Sequence, residues 1–151
     1  MSETPAAARR LAAGDRGAIL EHLLALNRDD RYGRFASALS DDAVAGYVAR
    51  IALPPDLAFG IGGPLSAFIH LAVHGRVGEL AASVLPAYRR QGQARSLFAV
   101  ALAHAGRLGM THVHLASGHP AALRISQGLG YAVEIRPTTP RATINLNPPG
   151  Q

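Results

Sequence analysis

Between Pro54-Pro55 and Pro86 apolar residues come in short runs separated by glycine, the pattern of consecutive strands rather than of an amphipathic helix. "LAFGIGG" and "LSAFIHLAV" are predicted as two strands, the first closed by Gly62-Gly63-Pro64 and the second by His74-Gly75. "VGELAASVL", Val77 to Leu85, is a third, joined to the second by a tight turn around Gly75-Arg76 and ended by Pro86. Ahead of this block, a short strand from Arg9 to Ala13 leads to a helix from Arg16 to Leu26. Asp15 caps that helix, and Ile19, Leu23 and Leu26 share one face. "NRDDRYGRF", Asn27 to Phe35, is polar and charged and is predicted as a loop. Ser40-Asp41-Asp42 starts a second helix, which carries Val44, Tyr47, Val48 and Ile51 and stops before Pro54.

After Pro86 the period becomes helical again. A helix is predicted from Gly92 to about Leu108, with Ala94, Leu97, Ala101, Ala105 and Leu108 as its buried stripe and Gly109 as its stop. "THVHLAS" follows as a strand, "PAALRISQGL" as a short helix with Pro120 in its first turn, and "YAVEI" and "RATINLN" as closing strands. The order predicts an α/β fold with a mixed central sheet. A chain of 151 residues fits one domain, residues 1–151.

Composition narrows the chemistry. All 15 cationic side chains are arginine, giving a net charge of +5 that permits an acidic partner. The arginines are scattered, with no basic helix face and no interleaved aromatics, so nucleic acid is not the expected partner. With no cysteine, disulfides, thiolate metal sites and a thiol nucleophile are excluded. The first residues lack a hydrophobic leader and no apolar run reaches membrane-spanning length, so the expectation is a cytoplasmic protein without a membrane partner. The seven histidines fit no zinc spacing: His70 and His74 fall on a strand and its end, and His112 and His114 read as partly exposed strand residues. No metal is expected.

The joint between the third strand and the long helix, "YRRQGQARSL", crowds charge and a glycine onto a helix start. The first backbone N–H groups of a helix have no intrahelical partner and sit at the positive end of its dipole. A glycine there lets an anion approach the backbone closely. Walker A and the three-glycine dinucleotide fingerprint are both absent. By itself the joint is compatible with a diphosphate seat or with an ordinary helix start carrying solvated arginines.

The wider stretch from Glu79 to Leu115 resembles the acetyl-CoA-binding core of the GCN5-related N-acetyltransferases. The family's [RQ]-x-x-G-x-[GA] signature stands as Arg89-Arg90-Gln91-Gly92-Gln93-Ala94, after a strand ending in V-x-P at Val84 and Pro86. "GHPAALRISQGLGYAV" is similar to the family's second block. The likeness covers roughly residues 65–135. "RYGRF" before "SDDAV" resembles a bacterial branch with an R-F element, placing Arg31, Arg34 and Phe35 near the acceptor-side loop, where they touch substrate or simply pack.

The resemblance implies a six- to seven-stranded mixed sheet flanked by about four helices, and direct transfer of an acetyl group from acetyl-CoA to a primary amine of a small molecule or protein. Backbone N–H groups of Gln91, Gly92, Gln93 and Ala94 would hold the pyrophosphate, with Arg89, Arg90 and Arg95 as auxiliary charges. Ser83, Val84 and Leu85 match the splayed strand that pairs with the pantetheine arm, and the Val84 N–H is the donor to the thioester carbonyl. Glu79 is either the general base or an ion-paired strand residue. His119 stands where the family often has Asn, and Ser126 where it often has the tyrosine that protonates the thiolate. Ser126 is expected on the cofactor, with the proton coming from water, His119 or substrate. A monomer or homodimer is expected, and an acyl-CoA-binding regulatory module is the alternative to an enzyme.

Overall fold

A computed structural model of the chain describes residues 7–115, 120–135 and 142–146. The elements, in order, are β1 Arg9–Arg10, α1 Arg16–Leu24, α2 Arg28–Phe35, α3 Asp41–Arg50, β2 Leu57–Ile61, β3 Ala67–His74, β4 Val77–Val84, α4 Gln93–Arg107, β5 His112–Leu115, α5 Pro120–Gly128, β6 Ala132–Ile135 and β7 Ala142–Asn145. The strands form one seven-stranded sheet in the order β1-β2-β3-β4-β5-β7-β6. Every neighbouring pair is antiparallel except β4 and β5, which run parallel because α4 crosses over between them.

Alternation along β3 and β4 assigns the two faces of the sheet. Ile69, Leu71 and Leu80 belong to one core with Leu97, Phe98, Ala101 and Leu102 of α4. Phe68 belongs to the other, with Ile19 and Leu23 of α1 and Val44 and Val48 of α3. Glu79, Ala81 and Ser83, opposite Ala72, His70 and Phe68, therefore face the α1–α3 side.

Three local expectations are corrected. Asn27–Phe35 is not a loop but helix α2: the Asn27 side chain accepts the Asp30 N–H, Asp29 and Asp30 occupy the positive first turn, and Ala36 closes the end at φ 57°. On α4 the buried face is broader than one stripe, with Phe98 and Leu102 beside Leu97 and Ala101. That leaves Ala94 at the edge and Leu108 61% exposed. Asp15 does not cap α1 with its side chain; its carboxylate takes the Ala12 N–H at 2.8 Å and pairs with Arg9.

Candidate functional site

Among the described residues β4 is paired to β5 from Val77 to Leu80, opposite His112 to Leu115, and its pairing with β3 continues to Val84. From Ala81 to Val84 the strand lines a gap, a cleft of about 550 Å³. β4 supplies one wall of the cleft, the 89–95 loop and helix start its rim, α5 the opposite side through Ala121, Ala122 and Ile125, and α2 a cover through Asp29, Asp30, Gly33 and Arg34. The Leu85 N–H is bonded to the Ser66 carbonyl on the β3 side. Backbone groups alternate in direction along a strand, so the Val84 N–H points away from β3 and into this gap.

The loop after β4 is shaped by two left-handed residues, Arg90 at φ 63° and Gly92 at φ 78°. Gly92 is the N-cap of α4, and a Cβ placed there would meet no atom within 4 Å, so the space in front of the helix start is clear. Its carbonyl takes the Ser96 N–H, while the first-turn N–H groups that follow have no intrahelical acceptor. The Gln93 side chain is buried and accepts from Ser66 Oγ at 2.9 Å, anchoring the loop to the sheet rather than reaching a ligand.

The arginines divide by task. Arg89 Nε donates to the Val84 carbonyl at 3.0 Å and its Nη2 lies 2.8 Å from the Asp30 carboxylate. Arg90 and Arg95 line the cleft and have no carboxylate within ion-pair distance among the described residues. Gln91 is exposed and Leu85 gives its N–H to Ser66; neither lines the cleft. Ser126 is fully buried and donates its hydroxyl to the Ala122 carbonyl at 2.8 Å, so it faces the helix interior instead of the cleft expected for it. His119 lies outside the described residues.

A second cavity of about 270 Å³ adjoins the first, with Arg34 and Ala81 in the walls of both. Glu79 lines it, together with Tyr47, His70, Ala72 and His74. Along one side runs a chain of hydrogen bonds that the sequence did not disclose. His70 Nε2 donates to Asp56 Oδ2 at 2.8 Å, which leaves Nδ1 to accept from the Tyr47 hydroxyl at 2.6 Å. Arg34 Nη2 in turn donates to the Tyr47 oxygen at 2.8 Å. Burial holds the His70 pKa below its ordinary value, partly offset by the bond to Asp56, and the ring is neutral as this pattern requires.

A second buried histidine, His22, touches the cleft wall from below. Its Nδ1 donates to the Leu65 carbonyl at 2.9 Å, and Nε2 accepts from Ser83 Oγ at 2.8 Å. Burial lowers its pKa too. The Ser83 hydroxyl is thus directed at His22, while its backbone stays on the cleft wall. Of the three acceptor-side residues expected, Arg34 lines these two cavities and Arg31 and Phe35 line neither. Arg31 is spent on the carbonyls of Leu24, Leu26 and Leu39 and on Asp41, and Phe35 packs edge-on against Tyr47 at 5.2 Å.

Comparison with known proteins agrees with this geometry. The model of the acetyltransferase (GNAT) family matches residues 6–131. The GNAT domain of S. lividans PAT superposes with a TM-score of 0.71 at 16% identity, over 91% of this chain and 87% of that one. A phosphinothricin acetyltransferase from Sinorhizobium meliloti, solved in complex with AcCoA, gives 0.67 at 15% identity, over 93% and 86%. The ribosomal-protein-S18-alanine N-acetyltransferase from Escherichia coli gives 0.59 at 20% identity, over 91% and 88%. At these identities the likeness is one of fold, and the last two proteins are named for different acceptors. No curated protein sequence matches the chain.

Proposed function

The chain belongs to the acetyltransferase (GNAT) family, and from that premise we propose that it moves an acetyl group from acetyl-CoA directly to a primary amine. The observation that carries this reading is the coincidence, in one cleft, of the Ala81–Val84 end of β4 with the glycine-led start of α4. The first offers backbone groups to an extended pantetheine arm, and the second offers N–H groups and a helix dipole to a diphosphate. Gly92, Gln93 and Ala94 hold the pyrophosphate through their backbone, with Gln91 outside the cleft, and Arg90 and Arg95 are the cations positioned to pair with it. Arg89 acts at one remove, by fixing the Val84 carbonyl and α2.

In this reading the free amine attacks the thioester carbonyl and the Val84 N–H stabilises the oxygen as it gains charge. The carbon–sulfur bond then breaks, and the thiolate takes a proton from water or from the new ammonium. Glu79 accepts the proton that frees the amine. It lies five residues from Val84, roughly 16 Å along an extended strand, so it works through water rather than by contact. The membership is compatible with cytoplasmic location, and no described helix is long and apolar enough to cross a membrane.

One observation favours a second reading, an acyl-CoA-binding module with little turnover: the α5 position expected to carry a phenol is Ser126, whose hydroxyl is used within its own helix. Thiol release from acetyl-CoA, followed while small amines, antibiotics and peptides are added singly, separates the two. An enzyme releases CoA in step with an N-acetylated product, whereas a binding module takes up acetyl-CoA and releases none.

A further inference from the structure

Arg34 is only 6% exposed, yet no carboxylate of the described residues lies within ion-pair distance of it. Its Nη2 is given to the Tyr47 hydroxyl, and its Nε is buried without an acceptor among the described residues. The guanidinium lies over the Phe35 ring at 4.7 Å and the Tyr47 ring at 5.3 Å. Such stacking contributes about 0.5–2 kcal/mol per contact. Removing a cation from water costs several kcal/mol even after relaxation. The rings therefore do not offset the burial, and among the described residues the guanidinium has no ion-pair partner.

This cation stands where the proposed cofactor cleft and the second cavity meet, since Arg34 lines both, and no described carboxylate pairs with it. Asp30 does not supply it, being paired with Arg89, and Asp56 is turned to His70 and the Val73 N–H. The second cavity, about 270 Å³, has room for roughly nine waters at about 30 Å³ each, and so for one small amino acid. Its wall carries Glu79 beside the cation.

We propose that the acceptor is a small zwitterion, carrying a carboxylate or similar anion together with its primary amine, and that Arg34 binds the anion at the junction of the two cavities. The inference rests on the acetyltransferase reading and adds the substrate class. Held by its anion, the acceptor directs its amine along β4 toward Val84, while Glu79 takes the amine's proton through the water of the second cavity. Arg34 is then a specificity-determining residue: an amine lacking the anion leaves the cation buried and unpaired.

The test uses the full chain saturated with CoA and labelled with ¹⁵N-arginine, with the Arg34 Nε–H resonance assigned by its loss in Arg34→Lys. Titrants are acetate, glycine, β-alanine, γ-aminobutyrate and the L-amino acids, each amino acid against its own amide. The carboxylates should shift the Arg34 resonance and the amides should not. In parallel CoA-release assays from acetyl-CoA, acids should exceed their amides by at least about tenfold, the effect of one hydrogen-bonded charge. That preference should vanish in Arg34→Gln. A resonance unmoved by every carboxylate, or amides turned over as fast as acids, overturns the proposal while leaving the transferase standing. A resonance that responds to carboxylates with no CoA released supports the anion site and removes the transferase reading instead.

Discussion

Arg89 and Asp30 are joined at 2.8 Å across the mouth of the cleft, linking the loop that follows β4 to the helix that covers it. The second Asp30 oxygen is buried with no hydrogen-bond partner among the described residues, so Arg89 is the ion-pair partner this carboxylate has there. Half-exposed pairs of this kind contribute little to stability, about 0–1 kcal/mol, but this one decides the local charge beside the proposed pyrophosphate seat. Arg89→Ala should weaken acetyl-CoA binding about tenfold by leaving an unpaired anion in the wall. Adding Asp30→Asn to that variant should restore most of the affinity, whereas it should not rescue Arg90→Ala. Equal rescue of both by calorimetry would mean that Arg89 is itself a phosphate ligand.

Glu79 faces the second cavity, at a distance from Val84 that requires water. If it is the base, Glu79→Gln should lower turnover by about two orders of magnitude at neutral pH, with acetyl-CoA affinity nearly unchanged. The deficit should shrink as pH rises and the amine frees itself. A variant turning over like the parent at neutral pH removes the assignment.

Ser126 makes its hydrogen bond to Ala122 inside α5. Ser126→Ala should therefore cost no more than about 1 kcal/mol of stability and leave both acetyl-CoA affinity and turnover in place. A collapse of turnover would show that the hydroxyl leaves Ala122 during the reaction.

How much of this could be read from the chain depended on how local the cause was. The strands, the crossover helix α4 and the glycine-led loop were legible because hydrophobic period and turn residues encode them directly. Helix α2 was missed by looking for an apolar period, although its signals were present: Asn27 as cap, acids in the first turn, Arg34 in the last. The Asp56–His70–Tyr47–Arg34 chain was not legible, because it joins three helices and strands and the segment after Pro55 through contacts that no spacing predicts. His22 and Ser83, 61 positions apart, illustrate the same limit.

The two buried histidines set a pH dependence. Their folded pKa values lie below the ordinary 6.5, chiefly through burial. As pH falls through 6.5 the unfolded chain takes up protons that the folded one refuses, so stability is full above that point and declines toward the folded values. The slope is at most about 1.4 kcal/mol per pH unit for each ring. His22→Asn, which keeps a donor for the Leu65 carbonyl, should flatten the decline measured by urea unfolding between pH 6.5 and 5. An unchanged slope in that variant would exclude His22 as a source.

The seat proposed for the diphosphate lies in front of Gly92, where a φ of 78° and clear space beyond the residue occur together. A side chain at this position is strained and fills the place of the diphosphate, and a carboxylate also repels it. Titration calorimetry of acetyl-CoA into the parent chain should give one site per chain, and into folded Gly92→Glu an affinity at least about tenfold lower, or roughly 1.4 kcal/mol. Equal affinity in the two proteins, or no binding to the parent, would contradict the assignment of this cleft to acetyl-CoA.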